Sequence, residues 1–368
     1  MKTRVVVGMS GGVDSSVTAL LLRDAGHEVT GVTMRIYSGG PAKGPVVDSC
    51  YGPGEPSDIE EAARVCARLG IPHQVVDLRD EYRSLVIDYA RTEYLAGRTP
   101  NPCVLCNQRV KFGMLLEKLT SSSGIDFDFF ATGHYCRVVR IPENGRYAIR
   151  KAAHAAKDQS YFLCMLTQEQ LRRVMFPLGE MTKPEVRQRA REAGLTNHDR
   201  AESQDFAAGG YKAVVDAPEK EGPIKDAEGR LLGTHTGIWK YTVGQRKGLG
   251  VGGGDPLYVT RIDSATNTVI AGPDSQLYAR ELVANNLNWA SMEEPRAPLR
   301  LDVKIRYHNS AAPAEVIPWR EEAPAWCSTS RSAPSPSASG PYSTTGTSWR
   351  AGESSDSAPT YLAQYTAQ

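Results

Sequence analysis

Two short strings in this chain carry residue types that could do chemistry. In SGGVDSS, residues 10–16, Gly11 and Gly12 let the backbone approach an anion closely, and Ser10, Ser15 and Ser16 add hydroxyl donors. If a helix starts here, its first N–H groups and the positive end of its dipole face the same anion. In TPNPCVLCNQRVKF, residues 99–112, Cys103 and Cys106 stand three residues apart. A thiolate is a soft, strong nucleophile and a good metal ligand, and neighbouring cations lower its pKa. Arg109 and Lys111 supply such charge, and Pro100 and Pro102 stiffen the approach. Three uses fit the pair: a structural metal site, a redox couple, or a sulfur-handling nucleophile with a helper.

No lysine follows the glycines of the first string, so it is not a Walker A loop, and it is not GxGxxG either. It resembles the pyrophosphatase-type loop of enzymes that use ATP to adenylate a substrate and release pyrophosphate. On that resemblance Gly8, Met9, Ser10, Gly11, Gly12, Val13, Asp14 and Ser15 hold ATP. Asp14 offers a hard carboxylate for Mg²⁺.

The elements around these strings follow from periodicity. RVVVG (4–8), EVTGVTMRIY, PHQVVDL and FDFFATGHY predict strands. SVTALLLRDAG, DIEEAARVCARLG and EYRSLVIDYARTEYLAG predict helices. Ser57 is the expected N-cap of the second helix, with Glu60 completing a capping box. Alternating strand and helix predict an α/β fold with a doubly wound parallel sheet. After about residue 200 the pattern becomes short strands and glycine turns, in GRLLGTHTGIWKYT, QRKGLGVGGG, PLYVTRID and TNTVIAG. RLDVKIRYHN reads as a further strand, with Lys304, Arg306 and His308 on one face and Tyr307 on the other. The division expected is a nucleotide-binding domain over 1–200, a small central β domain over 201–275, part of a β-barrel over 276–322, and a tail over 323–368.

Composition is that of an ordinary soluble domain: 40% hydrophobic, 23% charged and a net charge of +1, so any nucleic-acid surface must be local. No stretch has the ~18 apolar residues of a membrane span, and the N-terminus does not read as a signal peptide. Seven cysteines without a secretory signal point to a reducing cytoplasm.

TPNPCVLCNQRVKF and SGGVDSS together resemble the tRNA-specific 2-thiouridylases. GVTMRIY, ATGHY, KDQSYFL, ESQDF, YTVGQRKGLGVGG and VKIRY agree, in the family's order, from about residue 1 to 320. The resemblance implies an adenine nucleotide α-hydrolase type of sheet. It also implies a reaction: ATP adenylates the 2-oxygen of a tRNA wobble uridine, a cysteine-bound sulfur attacks that carbon, and AMP leaves. Cys106 falls on the catalytic cysteine. Met34 and Gly133 match ATP-contacting positions. Asn101, Pro102 and Cys103 fall on the segment that meets the base, flipped out of its stack. His134, Lys157, Asp158, Gln159, Arg306 and Tyr307 match tRNA-contacting positions. The sulfur would come from a donor protein or hydrosulfide, and the chain is expected to act as a monomer.

The chain departs from the family twice. Many members carry a second cysteine where Ala207 stands here, and Cys103 replaces a common Asp. Cys103 could then be the partner thiol. Alternatively Cys103 and Cys106 hold an iron–sulfur cluster with a third cysteine, Cys136 first, then Cys50 or Cys164. The second departure is the Ser/Pro/Gly-rich tail, which lacks the family's last barrel strands. Synonymous codons read two nucleotides out of frame permit a strand-like pattern there, so a frameshift near 320–323 and a truncated barrel are the expectation.

Overall fold

Five short apolar runs, each too short for a helix, pair into one parallel sheet. The computed structural model describes residues 2–39, 49–202, 205–251, 255–318, 347–350 and 360–362. Its strands are β1 (Arg4–Gly8), β2 (Glu28–Arg35), β3 (Ser49–Tyr51), β4 (His73–Asp77), β5 (Phe129–Ala131), β6 (Cys136–Arg140), β7 (Tyr147–Lys151), β8 (Val174–Met175) and β9 (Asp205–Ala207), then β10 to β18 in the C-terminal part. The main sheet has the order β4-β2-β1-β5-β8, parallel throughout. From β1 the chain moves outward to β2 and β4, then returns to the other side of β1 for β5 and β8. That reversal opens a crevice at the carboxyl ends of β1 and β5, where open α/β sheets bind ligands.

Helices α1 (Val13–Asp24), α2 (Glu55–Leu69) and α8 (Lys183–Glu192) lie with this sheet, as do the shorter α3 (Arg79–Tyr82), α5 (Pro102–Leu105), α6 (Leu115–Ser122) and α7 (Gln168–Arg172); α9 (Gly210–Val215) follows. Val5, Val7, Val17, Val29, Val65 and Leu178 are buried in its core. Helix α1 starts earlier than expected, at Val13, so the whole VDSS string is its first turn. The expected Ser57 cap is corrected: α2 starts at Glu55 after Gly54, with Pro56 in its first turn and no side-chain cap. The Glu55 carboxylate instead accepts the N–H groups of Ile36 (2.6 Å) and Tyr37 (2.8 Å). The long helix expected after β4 is α3, a π-helical stretch Arg83–Ile87, and α4 (Asp88–Leu95). FDFFATGHY is strand only to Ala131; Cys136 then opens the antiparallel β6–β7 hairpin, which the sequence reading missed.

The chain divides into two units, the first comprising 1–88, 102–213 and 288–292, the second 89–101, 214–287 and 293–368. The second is β-rich, as expected. β10 (Gly222–Lys225), β11 (Leu231–His235), β12 (Tyr258–Asp263) and β13 (Thr268–Gly272) form a sheet in the order β11-β10-β13-β12. It covers Ile224, Val243, Val259, Val269 and Leu277. Where it is described, QRKGLGVGGG is a glycine turn: Gly248 and Gly250 within it, and Gly244 just before it, take positive φ. β14 (Val283–Ala284), β15 (Leu299–Lys304), β16 (Ala312–Ile317), β17 (Thr347–Arg350) and β18 (Thr360–Leu362) form the last sheet, ordered β14-β17-β16-β15-β18. The tail therefore supplies two short strands; the suspected frame change at 320–323 lies outside the described residues. Strand β15 ends at Lys304, so the two-faced strand expected through His308 is corrected. Residues 306–309 turn instead, and the Arg306 guanidinium donates to the Val243 carbonyl (3.2 Å).

Candidate active site

The turn between β1 and α1 is built by its own side chains. Ser15 Oγ accepts the Ser10 N–H (3.2 Å) and donates to the Gly12 carbonyl (3.0 Å), as does Ser16 Oγ (2.9 Å). Asn197 Nδ2 braces the turn from afar, donating to the Gly11 carbonyl (2.8 Å) and Ser16 Oγ (2.9 Å). Gly11 sits at φ +75°, and a Cβ there would lie 2.6 Å from the Asp58 carbonyl oxygen. Glycine is required twice over: for its left-handed backbone and for the space. Met9 is pinned between sheet partners, its N–H to the Val32 carbonyl (2.8 Å) and its carbonyl to Thr33 Oγ1 (2.9 Å).

Asp14, in the first turn of α1, faces the crevice. Lys183 Nζ bonds both its oxygens (2.7 and 2.8 Å) and also meets Glu202 (2.9 Å). Tyr135 Oη donates to the same carboxylate at 2.7 Å. Lys157 closes the chain with a 2.6 Å bond to Glu202. Burial pushes the Glu202 carboxyl upward, but Lys157 and Lys183 outweigh it and hold the pKa below the usual value. Lys183 is 7% exposed, and the two carboxylates pair its buried ammonium group. The capping box of α8, Thr182 with Glu185, fixes the helix start that presents it. Gly133, after β5, presses on the opposite side of the turn: a Cβ there would lie 2.8 Å from the Asp14 backbone carbon.

Asp14, Gly133, Lys183 and Glu202 line a cavity of ≈ 440 Å³. Gly8, Met9, Ser10, Gly12, Val13, Asp14, Ser15, Met34 and Gly133, all expected from the sequence, are among its walls, together with His134 and Gln159. Lysine 183, Arg200, Asp58, Glu202 and Tyr135 were missed. Their signal in the sequence is faint: a lysine in the first turn of a capped helix is usually solvated, and only the fold buries it. Lys111, Lys183 and Arg200 face Asp14, Asp58 and Glu202, so charge in the cavity is balanced.

The cysteine segment is helical. Cys103 lies in α5, and Cys106 opens a π-helical stretch, Cys106–Met114, which brings Lys111 to the cavity wall. Such π segments recur at functional sites. The expectation that nearby cations lower the Cys106 pKa is overturned. Burial pushes this thiol up to about 11; Lys111 pulls the other way and loses. Asn107 anchors the stretch through the Phe162 carbonyl (3.0 Å).

Other expected positions have local partners. His134 hydrogen-bonds Thr132 (2.7 Å), and burial holds it well below the usual histidine pKa, neutral. The buried Asp158 carboxylate accepts from the Ala152 N–H and Ser160 Oγ. Gln159 accepts the Tyr135 N–H (2.9 Å). Lys304 Nζ lies 5.2 Å from the Tyr307 ring centre, in the second unit.

The iron–sulfur expectation, with Cys136 as first choice of third ligand, finds no support among the described residues. Among the described residues, no group of three or more His, Cys, Asp or Glu side chains is arranged to hold a metal ion. Cys136 is fully buried in β6, where burial and Asp158 push its pKa well up. A buried neutral thiol is a poor ligand.

A family profile described as the tRNA methyl transferase HUP domain matches residues 3–207, and one described as the tRNA methyl transferase PRC-barrel domain matches 215–273. The chain is 44% identical over 319 residues to the tRNA-specific 2-thiouridylase MnmA of Endomicrobium trichonymphae, covering 86% of this chain and 88% of that protein. It belongs to the tRNA-specific 2-thiouridylase family. The proteins of that name from Heliobacterium modesticaldum (44%; 87% of this chain, 84% of that protein) and Treponema denticola (42%; 87% of each) are similarly alike. Each of these matches covers 86–87% of this chain.

Proposed function

We propose that this protein is a tRNA-uridine 2-sulfurtransferase. It adenylates the 2-oxygen of a wobble uridine with Mg²⁺–ATP and replaces that oxygen with sulfur carried on Cys106. The observation that supports this best is one cavity walled both by the Ser10–Ser15 turn with Asp14 and by Lys111 of the Cys106 stretch. The family profiles carry methyl transfer in their descriptions. A pyrophosphatase-type loop beside a cysteine segment has no use in methyl transfer and a direct one in adenylation followed by sulfur attack.

ATP phosphates sit against the Gly11–Gly12 turn and the N–H groups that open α1. With cations and carboxylates in balance, the cavity has no surplus positive charge for a triphosphate. Mg²⁺ bound with ATP would supply it, and Asp14 would be the carboxylate that holds the ion. Lys183, released from Asp14, moves onto a phosphate and stabilises charge as pyrophosphate departs. The uridine enters near Asn101, Pro102 and Cys103, flipped from the anticodon. His134, Lys157, Asp158 and Gln159 in the first unit, and separately Arg306 and Tyr307 in the second, serve as tRNA contacts. The sulfur donor is a persulfide-bearing protein or hydrosulfide, and the enzyme works as a monomer in the cytoplasm.

The test is formation of 2-thiouridine in unmodified tRNA, read by nucleoside mass spectrometry, with ATP and a persulfide donor. The reading requires product dependent on both ATP and Cys106. Pyrophosphate release driven by a small acceptor, with tRNA left unchanged, would place the chain among other ligases that share the loop.

A further inference from the structure

A persulfide on Cys106 can place its outer sulfur on carbon, but the sulfur–sulfur bond must then break. A second thiol has to supply the electron pair. Cys103 is the near candidate by sequence. At helical i,i+3 spacing its Cβ lies about 5–6 Å from that of Cys106, while a disulfide needs roughly 3.5–4.5 Å. The structure brings another cysteine to the place. Strand β3 pairs in parallel with β9, Ser49 opposite Asp205 and Tyr51 opposite Ala207. The Ala208 N–H bonds the Tyr51 carbonyl (2.9 Å), extending the pairing. The Tyr51 ring stacks on Tyr82, 5.4 Å between centres and 13° between planes. Helix α3, which ends at Tyr82, packs on the Cys106–Met114 stretch. Cys50, beside Tyr51, is exposed and lines the same cavity as Lys111 and Asp14. The Tyr82 hydroxyl feels Cys106, Cys50 and Cys103 together, and Cys50 raises the pKa of Cys106 directly. The three thiols therefore share one neighbourhood, and Cys50 reaches it from a separate element.

We propose that Cys50 is the resolving thiol of the Cys106 site, a role that depends on the sulfur-transfer reading above. The outer sulfur of the Cys106 persulfide bonds to C2 of the adenylated uridine, and the 2-oxygen leaves with AMP. Cys50, its proton lost to water in the cavity, attacks Cys106 Sγ. The sulfur–sulfur bond breaks, its electron pair stays with the sulfur on the base, and a Cys50–Cys106 disulfide forms. The two cysteines have lost two electrons, and the transferred sulfur has gained them. A cellular dithiol reduces the disulfide, and a persulfide donor reloads Cys106. Exposure suits Cys50 to this exchange, which needs access for thiolate and reductant.

The first experiment needs no turnover. The full chain is reduced, oxidised mildly with diamide, digested without reductant and mapped by mass spectrometry. Fragment ions are needed, because trypsin leaves Cys103 and Cys106 on one peptide. A dominant Cys50–Cys106 link is expected. A Cys103–Cys106 link with Cys50 unlinked overturns the proposal. So does anaerobically purified protein whose iron and sulfide are lost in Cys50→Ala, since Cys50 would then be a cluster ligand. The second experiment is a single turnover by Cys50→Ala preloaded with persulfide on Cys106. Thiolation falls about tenfold or more, and dithiothreitol, acting as the external resolving thiol, restores it. Wild-type rates without added thiol, or a loss that dithiothreitol leaves in place, overturn the assignment. Wild-type protein that forms the Cys50–Cys106 link yet makes no 2-thiouridine overturns the sulfur-transfer reading instead.

Discussion

Lys183 Nζ bonds both carboxylate oxygens of Asp14 although the two residues are 169 positions apart in the chain. One side of the pair opens α1 beside the phosphate turn; the other opens α8. Asp14→Asn keeps the shape but removes the charge that Lys183 bonds and that Mg²⁺ would use in the proposed reaction. ATP-dependent pyrophosphate release should fall about 100-fold or more, the scale of removing one stabilising charge from a transition state. Lys183→Met should do the same to the rate while Asp14 remains. Either variant running within threefold of wild type would remove the pair from the chemistry.

Gly133 faces the start of α1 closely enough that a Cβ would lie 2.8–2.9 Å from the backbone and Cβ of Asp14 and from Ser15 N. Backbone atoms cannot give way as a flexible side chain does. Gly133→Ala should displace Asp14 and Ser15, cost about 1–3 kcal/mol of stability as overpacking, and weaken ATP binding. Calorimetric titration with ATP and a melting curve check it. Unchanged binding with unchanged stability would mean the turn yields to the added methyl group.

These two relationships mark what the sequence could and could not reveal. The Ser10–Ser16 turn was legible because its strand, glycines, hydroxyls and helix start are consecutive, and their purpose is local. The parallel sheet was legible because buried strands in alternation with helices leave few other folds. Lys183, Tyr135 and Glu202 were not legible, because each meets Asp14 or its partner only when the fold places β5 and α8 beside β1. The Ser57 cap failed for a similar reason: Glu55 was drawn to Ile36 and Tyr37, and Pro56 set the helix start. The Cys106 pKa was misjudged in sign because adjacency in sequence reveals charge but not burial, and burial wins here.

A thiol whose pKa is about 11 is almost wholly protonated at neutral pH. Alkylation of Cys106 by iodoacetamide in the tRNA-free protein should therefore be slow and rise about tenfold per pH unit up to near that pKa. Peptide mass spectrometry after timed quenching gives the rate at each pH. A plateau below pH 8 would show that the thiolate is already formed and that Lys111 outweighs burial.

Burial holds His73, His134 and His235 below the usual histidine pKa. His73 hydrogen-bonds Thr33 (2.8 Å), His134 bonds Thr132 and His235 bonds the Asn267 carbonyl (3.0 Å). The unfolded chain takes up protons on these rings near pH 6.5, and the folded chain does not until lower pH. The unfolded state therefore binds more protons as pH falls through that range, and folding stability declines. Urea midpoints should drop from pH 7 to pH 5.5, and His134→Gln should flatten part of that slope while Cys106→Ser leaves it unchanged. A slope identical in wild type and His134→Gln would show that His134 is protonated in the folded protein, with its bond to Thr132 rearranged to suit.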